Sequence, residues 1–122
     1  MKVAVSAMGN GLDSAVDPRF GRAAWFVVVD TDTGQAKAID NAAAAGAGSG
    51  AGVSAAQTVV REGADYVLTG HCGPNAFRTL EAAGARVIVG VEGSVGQAVE
   101  ALKAGGLTEA GGPDVGPHSG SR

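Results

Sequence analysis

Three stretches at the start of the chain have strand-like patterning before any helical spacing begins. Lys2 to Ala7 (KVAVSA) puts Val3 and Val5 on one face of a first strand. Trp25 to Asp30 (WFVVVD) is dense in aromatic and β-branched residues and predicts a second. Thr31 to Gly34 reads as a hairpin turn, and Gln35 to Asn41, alternating Ala36 and Ala38 with Lys37, as a third strand at a sheet edge. Beyond it the period changes. Val53 to Glu62 has helical spacing, with Val53, Ala56 and Val60 on the inward face and Gly63 as the stop. Tyr66 to Thr69 is a short buried strand. Pro74 to Ala83 is a helix with Phe77 and Leu80 inward, closed by Gly84. Arg86 to Val89 is a fifth strand, and Ser94 caps a last helix running to Lys103.

Two segments lack such periodicity. Met8 to Gly21 is crowded with turn residues, and a loop of that length in so small a domain is usually functional. Ala42 to Gly52 (AAAAGAGSGAG) is low in complexity and reads as a mobile lid; it contains a G-x-G-x-x-G/A match but no acidic residue at the distance a dinucleotide site needs. The order β-β-β-α-β-α-β-α predicts an α/β fold. Its five-stranded mixed sheet has order 3-2-1-4-5, strand two opposed to the rest, and right-handed crossovers placing helices on both faces. This is the ribonuclease H-like order. The connections diverge between strands one and four, and open sheets bind ligands outside the carboxyl ends at such a point. The expected organisation is one domain over residues 1–107 and a flexible Gly/Pro/Ser tail over 108–122, with His118 solvated in it.

With 4% aromatic residues and 21 glycines, the core has to be built from Val, Ala, Ile and Leu. A net charge of −3 argues against a general nucleic-acid binder, and one cysteine rules out an internal disulfide. No apolar run reaches membrane-spanning length, so a cytoplasmic monomer is expected.

The chemistry gathers in two places. Around Gly70 to Pro74 a strand runs into a helix N-terminus whose unpaired N–H groups suit an anion, with Gly73 at the N-cap. His71 and Cys72 in that bend add imidazole and thiol, either as soft-metal ligands or, for Cys72, as a small core hydrophobe. A single cysteine cannot build a four-thiolate zinc or iron–sulfur site, but a preassembled cluster brings its own sulfides. The second place is the end of the long loop. Arg19 and Arg22 flank Phe20-Gly21, placed to neutralise an anion or to order the loop against Asp13 and Asp17. Met8 offers a thioether or a core contact, and Asn10 and Asn75 side-chain amides or turn and helix-start roles. The first and fourth strands carry none of the paired carboxylates a two-metal nuclease needs, and no nucleophilic triad is visible. Catalysis is therefore not expected.

A start of the form KVAVS, a D-P-R-F-G-R loop before WFVVVD, and the segment ADYVLTGHCGPNAFRTLEAAGARV together resemble the dinitrogenase iron–molybdenum cofactor biosynthesis family, which includes NifX, NafY and the carboxyl-terminal part of NifB. The resemblance spans residues 1–107 and is greatest to small stand-alone members. Asp17, Phe20, Gly21 and Arg22 match its first motif; Gly70, Gly73, Pro74, Asn75 and Phe77 match its second. It implies a ribonuclease H-like fold and non-catalytic carriage of a metal–sulfur cluster containing molybdenum, a Mo–Cu sulfide being favoured over an Fe–Mo type. It also implies MinD/Mrp-type ATPases as partners. The expected site takes in Met8, Asn10, Arg19, Phe20, Gly21, Arg22, Gly70, His71, Cys72, Gly73, Asn75 and Phe77, with His71 and Cys72 as metal ligands and Met8, Phe20 and Phe77 as apolar walls. Two other readings compete: a cluster-free interaction domain regulating such an ATPase, and a nucleotide- or phosphate-binding domain.

Overall fold

The computed structural model describes residues 1–47 and 49–109. Its elements run β1 (Lys2–Ala7), β2 (Trp25–Asp30), β3 (Ala36–Asp40), α1 (Ala42–Ala45), α2 (Ala51–Arg61), β4 (Tyr66–Leu68), α3 (Pro74–Ala82), β5 (Arg86–Ile88) and α4 (Val95–Lys103). The five strands form one sheet in the order β3-β2-β1-β4-β5, as the patterning predicts. β1 pairs antiparallel with β2, from Lys2 opposite Asp30 to Ala7 opposite Trp25, and parallel with β4, where Val5 lies beside Leu68. The β2–β3 hairpin turns at Gly34, whose φ of 79° is one that side chains resist.

Helices cover both faces because β1 and β2 are apolar on both. On one face Ala4, Phe26, Val28, Val67 and Val87 meet α2 and α3. On the other Val3, Val5, Val27, Val29, Leu68 and Ile88 meet Val95, Ala98 and Val99 of α4. A central strand buried on both sides reads as a continuous apolar run, as β1 does.

The largest departure from the patterning lies in the Gly/Ala run. Instead of one loose loop, it contains α1 and the first two residues of α2. The buried face of α2 is Ala51, Ala55, Ala56 and Val59, not Val53, Ala56 and Val60; Val60 is only partly buried. The helices approach closely here: a Cβ on Gly52 would lie 3.2 Å from the Ala76 methyl of α3, tighter than ordinary contact, which keeps this position small. The remaining helices match closely, with Gly73 as the N-cap of α3 and Ser94 as the N-cap of α4. Of the tail, Thr108 and Glu109 are exposed, and Glu109 accepts a hydrogen bond from Arg86 at 3.4 Å. Residues 110–122, His118 included, lie outside the described residues.

Candidate functional site

The long loop after β1 is pinned by main-chain and buried polar contacts. Short bridges join Ala7 to Val16, Ala15 to Ser94 and Arg19 to His71. Asp17 anchors it. Its side chain is fully buried, and its carboxylate accepts from the backbone N–H of Arg19 at 3.0 Å, from Arg19 Nε at 3.4 Å and from the N–H of Ala24 at 3.4 Å. The Ser6 hydroxyl oxygen lies 2.7 Å from both the Asp17 carbonyl and Thr69 Oγ1. A carbonyl only accepts and a hydroxyl has one proton, so Ser6 donates to Asp17 and Thr69 donates to Ser6. Strands β1 and β4 thus hold the loop through one buried chain of hydrogen bonds.

The loop then closes on the bend after β4. The Phe20 N–H donates to the His71 carbonyl at 3.1 Å, and a Cβ on Gly70 would stand only 2.6 Å from Pro18 Cα. Gly21 sits equally tightly on α2, where an added Cβ would be 2.8 Å from both Gly52 Cα and N. Phe20 fills the space beneath and packs on Phe26 with ring centroids 5.0 Å apart.

These contacts frame a cleft of about 420 Å³ lined by Arg19 to Arg22, Gly50 to Gly52, His71 and Gly73. Two helices begin at it. The N-cap of α2 is Gly50, at φ 76°, and that of α3 is Gly73; neither has a side-chain cap or an acidic residue in its first turn. The third long helix is different. α4 begins elsewhere and has a full capping box, Ser94 accepting from the Gln97 N–H at 3.1 Å and Gln97 accepting from the Ser94 N–H at 2.9 Å. The first turns of α2 and α3 therefore bring amides without side-chain caps to the cleft, at the positive ends of both helix dipoles. Two guanidiniums add to that field. Arg22 Nη1 donates to the carbonyls of Ala45 at 2.8 Å and Ala47 at 3.0 Å, while Arg19 stays 61% exposed beside Asp17.

Of the residues singled out in the sequence, Arg19, Phe20, Gly21, Arg22, His71 and Gly73 come together here, and Gly70 packs directly behind them. The adjacent pair His71-Cys72 is split. His71 is exposed on the cleft, whereas Cys72 is fully buried in the α2/α3 core. That burial puts the thiol in the core, as the small-hydrophobe alternative has it, and not in the ligand position expected beside His71. Phe77 is likewise a core residue. Asn75 is exposed on the first turn of α3, with its side-chain oxygen accepting from Arg78. Met8, 55% exposed, and Asn10 lie in the part of the loop that packs toward α4 and do not line the cleft. Arg22 engages α1 carbonyls, not Asp13 or Asp17. The residues missed were Gly50, Ala51 and Gly52. Their signal was present as a glycine standing immediately ahead of helical spacing with no Ser, Thr, Asp or Asn at the N-cap. Among the described residues no group of three or more His, Cys, Asp and Glu side chains is placed to hold a metal ion by itself. No described helix is long and apolar enough to cross a membrane.

Residues 1–105 match the family described as dinitrogenase iron-molybdenum cofactor. The chain belongs to that family. Among solved structures, the apo form of the orange protein from Desulfovibrio gigas is 48% identical, with a TM-score of 0.91 over 93% of this chain and 96% of that one. A Thermotoga protein described as a candidate NifB of the DUF35 family is 36% identical, with a TM-score of 0.77 over 88% and 91%. A protein from Methanocaldococcus jannaschii at 17% identity and a TM-score of 0.68, covering 93% and 97%, shares the fold. No curated protein matches the chain. Membership in the dinitrogenase iron-molybdenum cofactor family makes a metal-cluster ligand the frame in which the cleft is read.

Proposed function

We propose that this member of the dinitrogenase iron-molybdenum cofactor family binds and carries an anionic metal–sulfur cluster in the cleft between the Arg19–Arg22 loop and the starts of α2 and α3, without catalysing a reaction on it. The observation that carries the reading is the convergence of two side-chain-uncapped helix N-termini with Arg19, Arg22 and His71 on one cleft. Each element favours negative charge, and together they offer many donors, with no carboxylate among the described residues that line the cleft, Asp17 being turned into the loop it orders. The donor set fits a cargo that arrives with its own sulfide ligands, because the cleft supplies charge and hydrogen bonds in place of a complete set of protein ligands. Among the described residues that line the cleft, His71 carries the side chain able to ligate a metal directly. The resemblance of the loop and bend motifs to the small stand-alone members favours a molybdenum–copper sulfide over an iron–molybdenum cargo. In this reading the protein is a cytoplasmic monomer, and a MinD/Mrp-type ATPase is its partner.

The test is a visible absorption spectrum with elemental analysis on protein purified without oxygen. It is followed by titration of colourless protein with tetrathiomolybdate and copper. Uptake with visible bands, lost on desalting in the Arg19→Ala/Arg22→Ala double variant, is the expected result. A chain that stays colourless and metal-free through the titration would overturn the reading in favour of the cluster-free ATPase regulator.

A further inference from the structure

α1 has no buried residue, and its four alanines make no contact with the sheet core that would hold them. A four-residue helix is far below the length that is stable alone. Beside its packing against α2, polar contacts tie it to the Arg22–Ala23 end of the long loop. Asn41, ahead of it, donates from Nδ2 to the Ala23 carbonyl at 2.9 Å, and Arg22 Nη1 donates to the carbonyls of Ala45 and Ala47 behind it. The Ala45 carbonyl is an end-of-helix acceptor that α1 cannot satisfy internally, and Ala47 lies just beyond the C-cap Gly46. Among the described residues, Arg22 Nε and Nη2 donate to nothing, while the side chain lines the cleft.

We infer that the segment Ala42–Ala47 is a strap whose carbonyls position Arg22 for the anion, so that filling the cleft orders the strap and ordering the strap tightens the cleft. The inference rests on the proposed anion site and deepens it. A guanidinium is a rigid planar fork. With Nη1 held from the strap side, only Nε and Nη2 remain for an occupant, and these present two donors in one plane. An occupant that uses them fixes the plane and therefore the geometry in which Nη1 meets the two carbonyls. A lysine at this position keeps the positive charge but not the fork, and cannot hold both sides in one fixed arrangement. Thermodynamic reciprocity then requires that loosening the strap weaken the anion by the same factor by which the anion steadies the strap.

The experiment is hydrogen exchange of the 42–47 amides in the full chain with and without tetrathiomolybdate, with uptake followed in the same samples by absorbance. The expected result is exchange slowed about fivefold or more on binding, a modest coupling between sites. In Arg22→Lys the dianion is expected to bind more weakly and to leave the exchange of the strap unchanged. Ala43→Gly/Ala44→Gly, which loosens α1 without touching a charge, is expected to weaken uptake by the factor seen in exchange. Wild-type uptake with no change in strap exchange would overturn the inference while leaving the anion site standing. So would a lysine variant that protects the strap as arginine does. No uptake at all in the wild type would overturn the anion site itself, and the strap's role with it.

Discussion

Replacing Gly21 by alanine tests whether the Arg19–Arg22 loop and α2 form one rigid wall of the cleft. The new Cβ would lie 2.8 Å from Gly52 Cα and N and 3.2 Å from the Ala51 carbonyl carbon, all backbone atoms. Reaching the 3.4 Å at which ordinary contact begins requires an opening of about 0.6 Å, with no flexible side chain to absorb it. α2 has little room to retreat, since Gly52 is itself pressed toward the Ala76 methyl on α3. Overpacking of this kind costs about 1–3 kcal/mol. For a chain of this size that is a fall in Tm of about 5 °C or more. Thermal unfolding followed by circular dichroism reads it. Gly46→Ala is the control: it has α-region backbone at φ −86°, and its added Cβ would meet nothing closer than 3.4 Å, so its Tm is expected to hold or rise slightly. Because the first turn of α2 is displaced, Gly21→Ala should also bind tetrathiomolybdate more weakly at temperatures where it is fully folded. A variant melting within about 1 °C of wild type and binding equally well would refute the claim that this contact sets the cleft.

Removing the Asp17 carboxylate as Asp17→Ala leaves the backbone N–H groups of Arg19 and Ala24 without their buried acceptor, and chemical denaturation is expected to show a loss of about 2–4 kcal/mol. Ser6→Ala strands both the Asp17 carbonyl and the Thr69 hydroxyl, costing about 1–3 kcal/mol; added to Thr69→Val it should cost less than the two separate losses together, as a double-mutant cycle would show. Arg19→Ala, altering a mostly exposed side chain, is expected to change stability by less than about 1 kcal/mol while weakening dianion uptake, and wild-type uptake should itself fall as salt is raised. Unchanged uptake between low and high salt would contradict a site built on charge.

The sheet was legible because its signal is redundant. β1 and β2 are apolar on both faces, Gly34 marks the hairpin, and the Pro74 and Ser94 starts are local chemistry that survives in the tertiary structure. The site was half legible. Arg19, Arg22 and His71 stood out by type, and the sheet order brought their segments together. The start of α2 stood out only as a glycine ahead of helical spacing, since alanine and glycine carry no hydrophobic contrast; Gly52 is small there because Gly21 and Ala76 lie close against it. Cys72 stood between ligand and core hydrophobe, because adjacent loop residues have no fixed period and only packing decides which side chain enters the core. Met8 and Asn10 were drawn in by proximity along the chain, whereas the backbone bridges from Ala7 to Val16 and from Ala15 to Ser94 carry that part of the loop toward α4.

Within Asp17 to Arg22 the side chains divide by task. Asp17 and Phe20 turn inward and hold the loop to the body, while Arg19 and Arg22 turn outward to the cleft and are exposed. The loop is held from the inward letters of this short word, and of the outward ones Arg22 adds a tie to the Ala45 and Ala47 carbonyls. On the proposed reading of the cleft, the exposed Arg19 is the letter that can be rewritten at little expense to the fold, whereas a change to an inward letter would disturb any cargo alike. If the proposed site holds, a scaffold divided in this way would pass from one cluster to another by a few surface substitutions while the polypeptide beneath stays the same.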